Sequence, residues 1–308
     1  DSFNGKIETL KQSFGEIGDS RLTVMAGIAA LDELYELKRE VERLQQNVAE
    51  LTRAGADLAA ETEEIERKYT RQIAEAVVRH LHAAVKEIEP THQEWLAAIE
   101  FLTETGHMCT DWRQEFILLS DVLGVSMLVD AINHRRPGWA TENTILGPFF
   151  VEGVEALPSG ADICLDHKGE PLVVRARVTD IDGQPVAGAT IDVWQTNDDG
   201  FYDVQQKSTQ PEGNLRGKFV SDAEGRFWFR TVKPRFYPIP DDGPIGMLLA
   251  SLGRHPNRAA HIHFIIEAPG FETVITHIFS PDCQYMDQDT VFGVKASLIG
   301  KFDRVDDA

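Results

Sequence analysis

The sequence has few cysteines, only five tyrosines and no excess of positive charge. Cys109, Cys164 and Cys283 are the only cysteines in 308 residues; they lie far apart and form no CxxC pair. We therefore expect neither a disulfide framework nor a cysteine-based zinc site, and reduced thiols fit a cytoplasmic protein. Acidic side chains outnumber basic ones by 50 to 30, which disfavours binding to a nucleic-acid backbone.

Long apolar runs are missing as well. No segment is apolar over the length that a membrane span needs, and the first 18 residues lack the basic start and apolar stretch of a secretory signal. With 42% hydrophobic residues, the chain has enough apolar material for about two folded domains with a sizeable core. We expect a globular cytoplasmic protein with no membrane span and no nucleic-acid partner.

A heptad pattern runs through residues 20–68. The apolar a and d positions are Leu34, Leu37, Val41, Leu44, Val48, Leu51 and Leu58, followed by the weaker a residues Gly55 and Thr62. Valine at a with leucine at d favours a parallel two-stranded coiled coil, although a helix packed on its own chain would have similar spacing. Residues 20–66, notably SRLTVMA and DEL, resemble the C-terminal helix of ZapA-type cell-division proteins, which implies an oligomerisation helix rather than a role in division.

The chain changes character near residue 170. Residues 69–165 carry amphipathic helical patterns, including an apolar stretch over residues 116–129 that predicts one buried helix around Asp121. From residue 166, short β-rich runs alternate with turn residues, which predicts an antiparallel β-sandwich. We therefore predict an α+β protein. It has a coiled-coil-like extension (1–68), a helical region (69–165) and a β-sandwich domain (166–308).

Two histidines and two tyrosines suggest a metal site in the β-rich part. His261 and His263 are one residue apart in a predicted strand, so their side chains share one face and can bind one ion. Tyr202 follows a turn, and Tyr237 lies between prolines that hold the backbone extended. Taken singly, each tyrosine could be a packing residue, and a His-x-His pair alone is a weak metal signal.

Six stretches of the sequence together match one family. They are TDWRQEFILLSDVLG (110–124), ENTILGPF (142–149), DVWQTN (192–197), YPIP (237–240), RAAHIHF (258–264) and DTVFGVK (289–295). From about residue 70 to its end, the chain resembles the intradiol ring-cleaving dioxygenases, and among them the hydroxyquinol 1,2-dioxygenases.

The resemblance implies one mononuclear non-haem Fe(III) per subunit. Tyr202, Tyr237, His261 and His263 are the implied ligands, and phenolate is a hard donor that suits oxidised iron. Tyr237 is also implied as a catalytic residue that leaves the iron and accepts a substrate proton. Arg258 is implied to stabilise negative charge that develops on the substrate.

The resemblance also implies a substrate pocket. Its implied lining is Leu118, Asp121, Ile145, Leu146, Gly147, Pro148, Phe149, Ile239, Pro240 and Val291. Asp121 is the polar exception, and we expect it to bind the third hydroxyl of hydroxyquinol. His277 is implied to lie just behind the metal ligands, where it either orients bound hydroxide or dioxygen or simply packs.

The implied reaction is intradiol cleavage of hydroxyquinol (benzene-1,2,4-triol) by O2 to maleylacetate. One alternative is a catechol or chlorocatechol 1,2-dioxygenase that gives cis,cis-muconates; a more distant one is a non-catalytic β-sandwich binding module with a coiled-coil tether. The family also implies that residues 69–165 are a helical linker and dimerisation domain and that residues 166–308 are the catalytic domain. It further implies a homodimer through N-terminal helices, with a phospholipid bound in an apolar tunnel there.

Overall fold

The computed structural model of the protein describes residues 5, 9, 12, 19–111 and 113–305. Trp112, part of one matching stretch, lies outside the described residues. So do most residues before residue 19, which form the start of the predicted extension. The chain divides into two compact units, Asp1–Thr91 and His92–Ala308.

The first unit is dominated by one helix of 70 residues, α1 (Asp19–Ile88). It contains no proline, and it ends before Glu89 and Pro90, where the backbone leaves the helical region. At 1.5 Å per residue the helix is about 105 Å long. The heptad side chains from Leu34 to Ile65 are exposed along it, and the predicted boundary at residue 68 falls inside it. No helix among the described residues has the length and apolar character that crossing a membrane requires.

Four helices belong to the second unit: α2 (His92–His107), α3 (Glu115–Val122), α4 (Val125–Asn133) and α5 (Pro244–Ser251). The prediction of one buried helix over residues 116–129 was wrong. The helix is interrupted at Leu123 and Gly124. The Leu123 N–H donates to the Leu119 carbonyl and the Gly124 N–H donates to the Asp121 carbonyl, which ends α3. Val122 and Met127 are buried, whereas Phe116 and other apolar residues of this stretch are exposed.

The strands of the second unit are all paired antiparallel. They are β1 (Pro171–Arg177), β2 (Thr190–Gln195), β3 (Arg216–Val220), β4 (Arg226–Val232), β5 (Tyr237–Pro238), β6 (Asn257–Arg258), β7 (His261–Glu267) and β8 (Val274–Phe279). One sheet has the order β3-β2-β7-β8, while β1 pairs with β4 and β5 pairs with β6. The antiparallel pairing and the preceding helices confirm the predicted α+β class.

Strand β7 separates the core from the site. Ile262 and Phe264 face a core that also contains Phe227 and Phe229 of β4, so the four-stranded sheet packs against the β1–β4 pair. The alternating residues of β7 point to the opposite face of the sheet. On that face Ile265 packs in a second cluster of residues with Trp194, Tyr202 and Tyr237.

A third apolar cluster joins the helices to the loops beside this face. It brings together Val122 of α3, Ile245 and Leu249 of α5, and the loop residues Ile239 and Val291. Helices and loops from distant parts of the sequence therefore converge near the histidine face of β7.

Candidate metal centre and substrate pocket

The two histidines of β7 direct ring nitrogens at one another. His261 and His263 are each 1% exposed, and their Nε2 atoms lie 3.1 Å apart. The Nδ1 atom of His261 lies 2.6 Å from the Ala259 carbonyl oxygen and must donate to it, because a carbonyl only accepts. Nε2 of His261 therefore carries a lone pair that a cation could share with the lone pair of His263.

Both predicted tyrosines reach the same place. Tyr202 precedes the short 3-10 turn Asp203–Gln205, and its hydroxyl lies 2.9 Å from Nε2 of His263. Tyr237 lies on β5, with its ring centroid 5.3 Å from that of Tyr202 and 5.8 Å from that of His261. The structure therefore brings all four predicted ligands together in a buried cluster.

His277 lies directly behind the pair. It is opposite His263 in the β7–β8 register, and it is fully buried. Its ring stacks on His261 at 4.4 Å and meets His263 edge-on at 4.2 Å. The three histidines offer nitrogen atoms within 4.8 Å of one another, so His277 is close enough to affect whatever binds to the pair.

Burial controls the protonation of the cluster. Desolvation, together with the Arg258 charge, lowers the pKa of His261 to about 3 and lowers the pKa of His263 and His277 well below the ordinary value. The imidazoles are thus neutral at neutral pH, the form that binds metal. Burial and the neighbouring Tyr237 raise the pKa of the Tyr202 hydroxyl well above its usual range, so a phenolate there needs a cation beside it.

Arg258 supplies a buried positive charge at the edge of the cluster. It is 3% exposed, and its Nη1 donates to the Tyr237 hydroxyl over 3.5 Å. Burial alone would lower the pKa of its guanidinium, but the Asp289 carboxylate and the two tyrosines outweigh that effect and raise it. The site therefore keeps a fixed cation next to Tyr237.

The apolar residues predicted to line the pocket fall into three groups. Gly147 lies against His263, because a Cβ on Gly147 would be 3.3 Å from the imidazole Cε1, and Phe149 stacks on Tyr202 at 4.5 Å. Leu118, Ile145, Ile239 and Val291 belong to one apolar cluster. Leu146, Pro148 and Pro240 are exposed at the edges of these loops.

Asp121 is a half-buried carboxylate beside this apolar cluster. Burial raises the pKa of its carboxyl, while the Ser126 hydroxyl and the Arg258 charge act in the opposite direction. It can accept a hydrogen bond from a polar group of a ligand bound between it and Arg258.

Sequence reasoning missed three features that hold the site in place. Trp194 stacks on His263 at 4.4 Å, and strand alternation on β2 could have found it, because Ile191 and Val193 face the other way. The buried pair of Asp203 and Arg216 supports the site, since Arg216 Nη1 donates to the Phe149 carbonyl at 2.6 Å. Asp289 bonds the backbone N–H of Ala259 at 2.8 Å.

Comparison with known proteins agrees with this geometry. Residues 145–308 match the family model described as Dioxygenase, and residues 68–141 match Catechol dioxygenase N terminus. The chain belongs to the intradiol ring-cleaving dioxygenases. Residues 1–76 of this dioxygenase match a third family model, Cell division protein ZapA.

Individual relatives are similar over most of their length. A hydroxyquinol 1,2-dioxygenase of Rhizobium sp. is 62% identical over 77% of this chain and 81% of its own, and a 6-chlorohydroxyquinol 1,2-dioxygenase of Cupriavidus pinatubonensis is 52% identical over 77% and 86%. The crystal structure of a hydroxyquinol 1,2-dioxygenase from Pseudomonas putida matches with a TM-score of 0.73 and 53% identity, over 75% of this chain and 81% of that one.

The family implies non-haem iron, and the residues present fit it. Two buried imidazoles hold their Nε2 atoms 3.1 Å apart, and the His261 Nε2 carries a lone pair, so a cation or a proton must lie between the two nitrogens. The Tyr202 hydroxyl oxygen lies 2.9 Å from one of these nitrogens, and phenolate with imidazole is a set of ligands that iron accepts.

Proposed function

We propose that this intradiol dioxygenase cleaves hydroxyquinol between its two adjacent hydroxyl-bearing carbons and, with O2, forms maleylacetate. The observation that carries the proposal is the buried convergence of Tyr202, Tyr237, His261 and His263 in a chain 62% identical to a protein named hydroxyquinol 1,2-dioxygenase. These four side chains are the proposed ligands of one Fe(III) per subunit.

The chain's own residues have defined roles in this proposal. Bound iron supplies the redox and Lewis-acid chemistry that lets O2 react with the diol. Tyr237, which would be a phenolate as an iron ligand, would accept a substrate proton on its oxygen and become a phenol, and Arg258, whose Nη1 lies 3.5 Å from that oxygen, would stabilise the negative charge left on the substrate. The apolar walls formed by Leu118, Ile145 and Val291 exclude water and so strengthen this electrostatic interaction.

We propose that Asp121 selects the triol. The ring would lie against Gly147 and Phe149, with the apolar cluster on its other side. The Asp121 carboxylate would accept a hydrogen bond from the third hydroxyl, which catechol lacks. A site built to bond a hydroxyl discriminates strongly against analogues without it.

Metal analysis, colour and oxygen uptake test the proposal together. We expect about one iron per chain, a visible tyrosinate-to-Fe(III) charge-transfer band, and faster O2 uptake with hydroxyquinol than with catechol or 3-chlorocatechol. Tyr202→Phe and Tyr237→Phe should each alter the band. Tyr285→Phe is the matched control, because Tyr285 contacts Phe236 and His255 instead of the cluster.

Two outcomes would contradict the proposal in different ways. A colourless protein that cannot be loaded with iron would favour the non-catalytic binding module. A coloured protein that cleaves catechol or chlorocatechol faster than hydroxyquinol would keep the reaction class and overturn the substrate.

We further propose that the chain is a homodimer through its N-terminal helices, with a cytoplasmic setting that suits its three free cysteines. The exposed heptad of α1 is the first support. Beyond it, Ile73, Val77, Leu81 and Val85 form another exposed apolar stripe, which we propose is covered in the dimer together with a phospholipid.

The charges beside the heptad support an antiparallel pair. We take the antiparallel register in which a positions face d positions and Gly55 faces Leu51 of the partner subunit. In this register Lys38 lies opposite Glu66 of the partner subunit, and Glu40 lies opposite Lys68 of the partner subunit. Each contact occurs twice in the dimer, so four opposite-charge pairs flank the seam. Such flanking pairs set orientation in coiled coils.

A parallel pair, which valine at a with leucine at d would favour, is less complementary in charge. It keeps one favourable contact, Glu33 with Lys38, but it places Glu61 opposite Glu66. The antiparallel pair opposes like charges only at its ends, where Glu33 meets Glu75.

The weak a positions favour the same orientation. In a parallel pair Gly55 faces Gly55 and leaves a gap, and Thr62 faces Thr62. In the antiparallel pair Gly55 faces Leu51 and Thr62 faces Leu44, so a large apolar residue fills each layer.

A further inference from the structure

Asp289 ties together two parts of the active site through one buried carboxylate. Its Oδ1 accepts the backbone N–H of Ala259 at 2.8 Å, and its Oδ2 accepts the backbone N–H of Gly293 at 2.7 Å. Asp289 is 5% exposed. The first bond holds the chain just before His261, and the second holds the loop that carries the pocket residue Val291.

The same carboxylate faces the Arg258 guanidinium. Asp289 Oδ1 lies 3.5 Å from Arg258 Nε, in an ion pair whose side chains are 2% and 3% exposed. Ala259 follows Arg258 in sequence, so Asp289 holds both the backbone and the charge of this short segment. Buried charge pairs of this kind fix a side chain in one orientation.

Gly293 restrains the guanidinium from another side. A Cβ at this position would lie 2.8 Å from Arg258 Nη2, so the guanidinium packs against backbone that carries no side chain. The N–H of Gly293 is also the one that Asp289 Oδ2 binds. One acidic residue therefore sets both the guanidinium and the surface against which it lies.

One nitrogen of Arg258 is left for another acceptor. Nη2 is buried and makes no hydrogen bond within the part of the chain that the structure describes, while Nε faces the Asp289 carboxylate at 3.5 Å and Nη1 reaches only the Tyr237 hydroxyl. Buried donors in native proteins normally have partners. An anionic oxygen of the substrate beside Tyr237 would supply one.

We propose that Asp289 is a positioning residue for the ring-cleavage reaction, which aims the Arg258 guanidinium at the substrate and couples it to the loop of Val291. The inference rests on the proposed function, because it assigns Asp289 to the same site. Asp289 does not touch the substrate; it acts through Arg258.

A double-mutant cycle tests the proposal in the iron-loaded enzyme. Asp289→Asn should lower kcat about 100-fold, somewhat less than Arg258→Gln, because misaiming a fixed charge loses much of its effect on the transition state. The double variant should be no slower than Arg258→Gln alone. Iron content, the charge-transfer band and the Kd for hydroxyquinol, from anaerobic spectral titration, should stay within about threefold of the parent.

Two further variants separate positioning from folding. Gly293→Ala removes no charge but pushes on Arg258 Nη2, so it should also lower kcat while leaving iron content unchanged. Asp282→Asn is the control, because Asp282 is an exposed acid that pairs with Lys233 outside the site. It should behave as the parent enzyme does.

The outcomes are distinct. If the losses from Asp289→Asn and Arg258→Gln multiply, or if Gly293→Ala keeps the full kcat, the positioning role is wrong. If the parent enzyme holds iron but consumes no diol, the proposed function fails first, independently of the cycle.

Discussion

Gly147 lies against the imidazole of His263, at a position where a side chain would make an unusually tight contact. An added Cβ would be 3.3 Å from His263 Cε1, and the backbone φ of Gly147 is +76°. The loop that we predict to line the pocket therefore lies beside a proposed ligand of the iron. Residues far apart in the sequence share one tight contact here.

Gly147→Ala should reduce activity strongly and stability only slightly. We expect kcat/KM for hydroxyquinol to fall about tenfold, as the loop or His263 shifts, and stability to fall by about 1 kcal/mol from the left-handed backbone. Gly183→Ala is the matched control, because Gly183 has φ +79° but open space around its Cβ position. It should show the stability loss with full activity; equal activity in both variants would contradict a role for the Gly147 contact.

Asp121 should determine the choice between triol and diol. Asp121→Ala should reduce the ratio of kcat/KM for hydroxyquinol to that for catechol about 100-fold, because the third hydroxyl loses its acceptor. Parallel oxygen-uptake assays measure this ratio. Ser120→Ala, on the same helix, is a control whose ratio should remain unchanged. An unchanged ratio in Asp121→Ala would mean that another group recognises the triol.

The stability of the protein should report the burial of Asp121. Because burial raises the pKa of this carboxyl, the folded state disfavours its ionised form. That penalty is absent below the ordinary pKa, grows as the pH rises towards the raised value, and is complete above it. Asp121→Asn should therefore stabilise the protein at pH 7 to 8, and this gain should shrink as the pH falls towards 4.

The histidine pair shows what sequence periodicity can predict. Strand alternation placed His261 and His263 on one face, and the 3.1 Å between their Nε2 atoms confirms it. Tyr202 and Tyr237 join them only through tertiary structure, so the resemblance to a family was needed to connect them. The antiparallel sandwich was likewise predictable, because each strand is bounded by turn residues.

Other features depend on long-range packing that no local pattern encodes. Asp289 binds backbone 30 residues away, and Asp203 pairs with Arg216 across a turn. The apolar stretch over residues 116–129 misled the prediction, because a segment that is apolar all round suggests burial, whereas the described chain exposes Phe116 and Leu128.

The buried pair of Asp203 and Arg216 should matter for stability. Arg216 Nε donates to Asp203 Oδ1 at 2.7 Å, and both residues are buried. Asp203→Asn should destabilise the protein by about 3 kcal/mol, because it leaves a buried guanidinium without its counter-charge. All five tryptophans lie in the unit His92–Ala308, so fluorescence during denaturant unfolding reports on this unit.

An exposed pair provides the control for that measurement. Asp198 pairs with Arg235 at 2.8 Å, and both side chains are about half exposed. Asp198→Asn should change stability by about 0–1 kcal/mol. A loss as small as this in Asp203→Asn would show that the buried pair is dispensable.

The orientation of the N-terminal helices can be tested with a single charge reversal. In the antiparallel pair, Glu66→Lys places a second lysine opposite Lys38 and should weaken self-association about fivefold, since two surface pairs per dimer change sign. In a parallel pair the same change would relieve the repulsion from Glu61 and strengthen association. Sedimentation equilibrium over a concentration series distinguishes these opposite shifts. Glu64→Lys, on the outer face of the heptad, is the control and should leave the dissociation constant unchanged.

A compensating change completes this test. Adding Lys38→Glu to Glu66→Lys restores opposite charges across the antiparallel seam, so the double variant should associate as the parent does. A truncated chain without residues 1–68 shows how much of the association depends on the heptad. If the truncated chain is still a dimer with the dissociation constant of the full chain, the heptad is not the main interface, and the dimer must form through the remaining helices.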